Sequence, residues 1–172
     1  MILPGVILSL FFCSSPLESF ERPVIEIYLL KTRIESLQEF REMAEKKVAC
    51  HFFAKESDLA GSAFIKDTEI IWYDTALNKI EFTHSAVEKI IEIDPPVNDG
   101  VQFVLTINRR PALCGYFINK HTSQPVMSYS ISNQDENIKM IYKWIPFTLY
   151  SKLDERKNIE LVNAFKASSR LK

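Results

Sequence analysis

Between Val101 and Ile118 the chain carries two apolar runs around a short polar break, and this pair constrains the fold more than any other segment. Val101, Phe103, Leu105 and Ile107 alternate with Gln102, Val104 and Thr106, and a period of two places the first set on one face of a strand. Asn108-Arg109-Arg110-Pro111 supplies polar and turn-forming residues, after which Ala112 to Ile118 returns as an equally apolar run. Punctuation of this kind predicts a β-hairpin, and therefore an antiparallel sheet with at least one face to bury.

The rest of the chain supplies partners for that hairpin. Further strands are predicted at Pro23–Lys31, Glu69–Tyr73, Lys79–Thr83, Val126–Ile131 and Ile138–Trp144, with Asp74 to Asn78 turning the second into the third. Ile34–Lys47 reads as a short amphipathic helix on Ile34, Leu37, Phe40 and Ala44. The cleanest helix signal follows Thr83, a suitable N-cap, and runs on Ala86, Val87, Ile90, Ile91 and Ile93 until Pro95-Pro96 stops it. Asp154–Lys172 is predicted as a terminal helix with Ile159, Leu161, Val162 and Phe165 turned inward. The expected class is α+β: a mostly antiparallel sheet with a central packing helix and a C-terminal amphipathic helix.

The first 19 residues stand apart from that body. Met1 to Ser15 carry no charged side chain, the first being Glu18, and the run is too short to span a bilayer as a helix, which takes about 20 residues. It fits the apolar region of a signal peptide, or a lipoprotein leader in which Cys13 receives the lipid and Ser14-Ser15 begin a tether. Residues 1–19 are thus expected to be leader plus tether, and 20–172 one α+β domain. The expected location is outside the cytoplasm: periplasm, outer-membrane-attached or extracellular. The competing reading of the same run is a buried N-terminal strand or helix. Cys50 and Cys114, in apolar settings, read as small buried thiols, with a single disulfide as the alternative.

Residues 70–117, including the run Val104 to Pro111, resemble the periplasmic strand–helix–hairpin subdomain of the protein-translocase subunit SecD. With Arg109 where that hairpin usually has glycine, and without the translocase's membrane helices, the resemblance implies a fold and no transport activity. The chain is also similar to small secreted or lipid-anchored proteins of unknown function from Bacteroidetes-type bacteria. Ile27 to Lys31, Ala63 to Asp67 and Gly115 to Phe117 carry that likeness, which implies an envelope setting and no particular reaction.

Composition narrows the chemistry. Four glycines, at positions 5, 61, 100 and 115, build neither of the glycine-rich phosphate loops. A formal charge of -1 argues against nucleic-acid binding driven by bulk positive charge. His51, His84 and His121 lack metal-ligand spacing, so neither a metal nor a cofactor is expected. Cys114 and His121 are the candidate catalytic pair for a small Cys-His enzyme, with Asn119 and Asp135 as orienting groups. Tyr129, Trp144, Arg109 and Arg110 are the candidate binding residues. The two aromatics are expected on strands near the end of the sheet, beside Tyr142, and the two arginines at a turn. The leading expectation is an exported, non-catalytic envelope protein that binds a protein or peptide through one sheet face or edge. The alternatives are the Cys-His enzyme and a small-ligand binder with a pocket between helix and sheet.

Overall fold

A computed structural model describes residues 21–34, 52, 54–77, 79–97, 99–119, 129–132, 140–142 and 159–172, with 140–142 described in backbone only. The first strand, β1 (Ile25–Leu29), opens the described chain. Short 3-10 turns at Glu56–Asp58 and Asp67–Glu69 lead to β2 (Ile70–Asp74) and β3 (Lys79–Phe82). Helix α1 (His84–Glu92) follows, then β4 (Val101–Ile107) and β5 (Arg110–Ile118). β6 (Tyr129–Ser132), β7 (Met140–Tyr142) and α2 (Ile159–Ala167) complete the α+β set.

The predicted hairpin is the centre of the larger sheet, whose order is β1-β4-β5-β6-β7. β4 pairs antiparallel with both β1 and β5, and β6 with β7. The β5–β6 pair is parallel, with Gly115 opposite Tyr129, so the sheet is mixed and, as expected, mostly antiparallel. β2 and β3 form a separate hairpin. Its turn follows the Asp signal: the Asp74 carboxylate accepts hydrogen bonds from the Ala76 and Leu77 amides at 2.8 and 2.9 Å. Thr83 caps α1 as expected, its Oγ1 accepting from the Ala86 amide at 3.4 Å.

One face of the sheet carries the principal core. Ile25, Ile27, Phe103, Leu105, Ile107, Phe117, Tyr129 and Ile131 pack there against Tyr73 and Ile80 of the hairpin, Ala86 and Ile90 of α1, and Leu161 and Phe165 of α2. Each large side chain so buried contributes about 1.5–3 kcal/mol of transfer free energy. The opposite face is buried as well. Tyr28, Val104, Tyr116 and Ile118 form a second cluster with Phe52 and Leu59, flanked by Leu30, Ile34, Ala63 and Cys114. Gln102, Val104 and Thr106, on the more polar side of β4, are as enclosed as its apolar side.

Two edges are occupied too. The segment from Asp58 to Ile65 runs along β1, with Ile27 N donating to Ile65 O, Phe64 N to Ile27 O and Ala60 N to Leu29 O, all at 2.9 Å. The C-terminal residues do the same for β2. α2 stops at Ala167, Ser169 takes a positive φ of 58°, and the chain turns into an extended tail. Tyr73 N then donates to Arg170 O and Lys172 N to Tyr73 O, both at 2.8 Å. The predicted terminal helix is therefore shorter than its sequence pattern, and its last residues are strand-like. No helix among the described residues is long and apolar enough to cross a membrane.

Candidate functional site

The two candidate arginines meet at the tip of the β4–β5 hairpin. Asn108 and Arg109 have φ of 49° and 67°, so Ile107 pairs directly with Arg110 across a two-residue turn. Left-handed conformation at both turn residues matches the twist of the flanking strands and favours Asn-Gly. Asn108 suits its position, and its Oδ1 and N bond to the N and O of Val24 at 2.9 and 2.8 Å. Arg109 does not suit its position: a Cβ in left-handed backbone costs about 1–2 kcal/mol relative to glycine.

That strained residue is positioned by its side chain. The guanidinium lies 5.3 Å from the centre of the Tyr28 ring, and its Nε is 3.4 Å from Glu56 Oε1, both ions being largely exposed. Tyr28 itself is buried and donates from its hydroxyl to Glu26 at 2.8 Å. Burial first, then the bond to Glu26 and its charge, raise the Tyr28 phenol above the ordinary range, with Arg109 opposing. Arg110 is exposed beside it. Arg22, paired with Asp67 at 3.2 Å, and the exposed Val24 belong to the same end of the sheet. The tip is thus an exposed, cationic turn, whose Arg109 already shows the affinity of such a group for a carboxylate in its contact with Glu56.

A second feature is a cleft of about 290 Å³ lined by Leu29, Leu30, Arg33, Pro96, Val101 and Gln102, among others. Its polar groups serve the fold. Gln102 Oε1 accepts from Ile34 N and its Nε2 donates to Ile34 O, both at 2.9 Å, so the amide substitutes for a strand partner. Arg33 donates to the Gly100 and Asp99 carbonyls at 3.1 Å each.

The remaining sequence candidates fall elsewhere. Tyr129 is fully buried in the principal core, which corrects its placement on a presented surface: β6 lies between β5 and β7, not at an open face. Cys114 is partly buried against the second cluster, opposite Val104 in register. Asn119 donates to the Pro95 carbonyl at 3.2 Å. His84 begins α1 and sits 3.3 Å from Glu88. Cys13, Cys50, His51, His121, Asp135 and Trp144, the predicted helix over 35–47 and the side chain of Tyr142 lie outside the described residues. The expected Cys114–His121 pairing thus lies outside the described residues. No group of three or more His, Cys, Asp or Glu side chains suited to a metal ion occurs among the described residues.

Three charged groups escape sequence reasoning. Arg170 is buried, donating to the carbonyls of Asp67 and Ile70 at 2.8 and 3.1 Å and to the Asp67 carboxylate at 2.5 Å. Asp67 also accepts from Ile25 N at 2.7 Å. Glu69 is nearly as enclosed and takes two bonds from Lys89, at 2.7 and 2.8 Å. No local pattern marks these residues, because their charged partners are 20 to 103 positions away. No family model, curated protein or solved structure matches the chain.

Proposed function

We propose that this chain is an exported, non-catalytic envelope module that binds a protein or peptide partner at the end of its sheet, through Arg109 and Arg110. The observation that carries the reading is Arg109 in left-handed backbone at an exposed hairpin tip. A bulky cation kept where glycine is locally favoured points to a role for its side chain. Among the described residues both faces of the sheet carry buried clusters and the β1 edge is paired, whereas Arg110 and Arg109, the latter sharing Glu56, stand exposed at the tip. The partner supported by this chemistry is an acidic segment. Export rests on the uncharged run from Met1 to Ser15, and the envelope setting on the likeness to secreted and lipid-anchored proteins.

The separating experiment is Arg109→Gly combined with Arg110→Ser. Relief of the left-handed strain raises stability by about 1 kcal/mol, read as a higher thermal midpoint. Capture of an acidic peptide falls at the same time. Unchanged capture by the more stable variant removes the tip from the reading. Mass measurement of the mature N-terminus tests export: loss of the leader, with or without lipid on Cys13, is expected.

A further inference from the structure

The carboxylate that Arg109 meets belongs to its own chain. Glu56 opens the short 3-10 turn in the segment that leads along β1, and its Oε1 stands 3.4 Å from Arg109 Nε. That turn is fixed without this contact. The Lys55 amide donates to Asp58 Oδ2 at 2.7 Å, while Lys31 donates from its backbone to the Asp58 carbonyl at 2.9 Å and from Nζ to the Ser57 carbonyl at 2.8 Å. Leu59, the next residue, is fully buried in the second cluster. The hairpin tip is likewise fixed without the contact, through the pairing of Ile107 with Arg110 and the two bonds between Asn108 and Val24.

Two independently anchored elements thus hold a carboxylate beside a guanidinium, and neither needs the contact to stay in place. The pair is open to water on both sides, with 43% of the Arg109 side chain and 59% of the Glu56 side chain exposed. An ion pair so exposed is weak, because water screens the charges and ordering two long side chains costs entropy. Its effect on the tip is nevertheless definite. The guanidinium stays over the Tyr28 ring, but its charge is balanced and its Nε edge faces Glu56. A carboxylate arriving from a partner therefore meets a neutralised cation with a like charge next to it.

We propose that Glu56 is a built-in competitor for the tip, occupying Arg109 in the free protein and turning aside into solvent when a partner's carboxylate takes its place. This inference rests on the acidic-partner reading of Arg109 and Arg110 and adds the regulation of that site. Glu56 sets a threshold. A partner with one carboxylate only exchanges one ion pair for another at Arg109, whereas a segment with several acidic groups gains contacts that Glu56 does not supply. The partner class is therefore a multiply acidic segment.

The test is Glu56→Gln, which removes the competing charge at an exposed position and leaves the bond from the Lys55 amide to Asp58 in place. Binding of a fluorescein-labelled oligoglutamate peptide is followed by anisotropy at constant ionic strength. The expected affinity is about two- to fivefold tighter than that of the unaltered chain, the size of one exposed ion pair. In an Arg109→Gly background the same substitution is expected to bring no gain, because its route is through that guanidinium. Unchanged or weaker binding by Glu56→Gln overturns the proposal, the weaker case showing that Glu56 positions Arg109 for the partner. An equal gain in the Arg109→Gly background also overturns it, since that marks a general charge effect. Failure of the underlying reading looks different: Arg109→Gly combined with Arg110→Ser then binds the peptide as well as the unaltered chain, or neither the unaltered chain nor Glu56→Gln binds it, and both ideas fall.

Discussion

At Gly115 the absence of a side chain lets the central strands lie as close as they do. A Cβ built there would stand 2.5 Å from Phe103 Cζ and 2.6 Å from the Tyr129 carbonyl oxygen. The first is a core ring and the second is backbone of the neighbouring strand, so neither can yield cheaply. Gly115→Ala is therefore expected to destabilise the fold by about 1–3 kcal/mol, as overpacking of a dense core does; a lowered urea midpoint with unchanged slope checks this. A lone glycine inside an apolar strand signals such an approach, although only the structure shows which ring and which carbonyl meet it. Arg109 is the converse case. Its position in a turn is plain in the sequence, whereas its left-handed backbone depends on Ile107 and Arg110 pairing directly.

At the scale of elements, α1 is tied to the turn before β2 by a pair that stability measurements can address. Burial pushes the Glu69 carboxyl up, but the Lys66 amide, Lys89 and Ser85 all donate to it and hold it below the usual range. A carboxyl whose folded value is depressed adds stability that is fully present above its unfolded value, about 4.3. That contribution disappears as pH falls through the folded value. Glu69→Gln should flatten the acid limb of the stability–pH profile below about pH 4.3. Denaturant melts of both proteins at pH 3, 4 and 7 (roughly spanning that window) check it, and an acid limb identical in the two would contradict it. The elements themselves were largely legible. Thr83 and Pro95-Pro96 bracket α1, the Asp74 turn joins β2 to β3, and alternation marks β4. The terminal helix was overextended, because Lys166 to Lys172 keeps helix-compatible residues while the tail gains more by pairing with β2.

For the whole molecule, Asp67 and Arg170 join distant parts of the chain. Asp67 receives Arg170 from the C-terminal tail, and Ile25 N and Arg22 from the strand that starts the sheet. Removing one partner of a buried pair leaves the other poorly compensated, at a cost on the order of 3–5 kcal/mol. Since Asp67 retains Arg22 and Ile25, Arg170→Met is expected near the lower end, about 3 kcal/mol. The same variant should speed hydrogen exchange at Tyr73 and Lys172, whose amides pair the tail with β2; exchange at the wild-type rate would show that the tail docks without its arginine. Periodicity, caps and turns act within a few residues, so the sequence by itself determined the hairpin, the capped helix, the α+β class and the placement of Arg109 at a turn, with Arg110 falling to the first position of β5. Tertiary structure alone decided the parallel β5–β6 pair, the buried clusters on both sheet faces, the enclosure of Tyr129 and the meeting of Glu56 with Arg109. Each of these depends on which distant segments meet, and desolvation and charge pairing across such contacts leave no periodic trace in the chain.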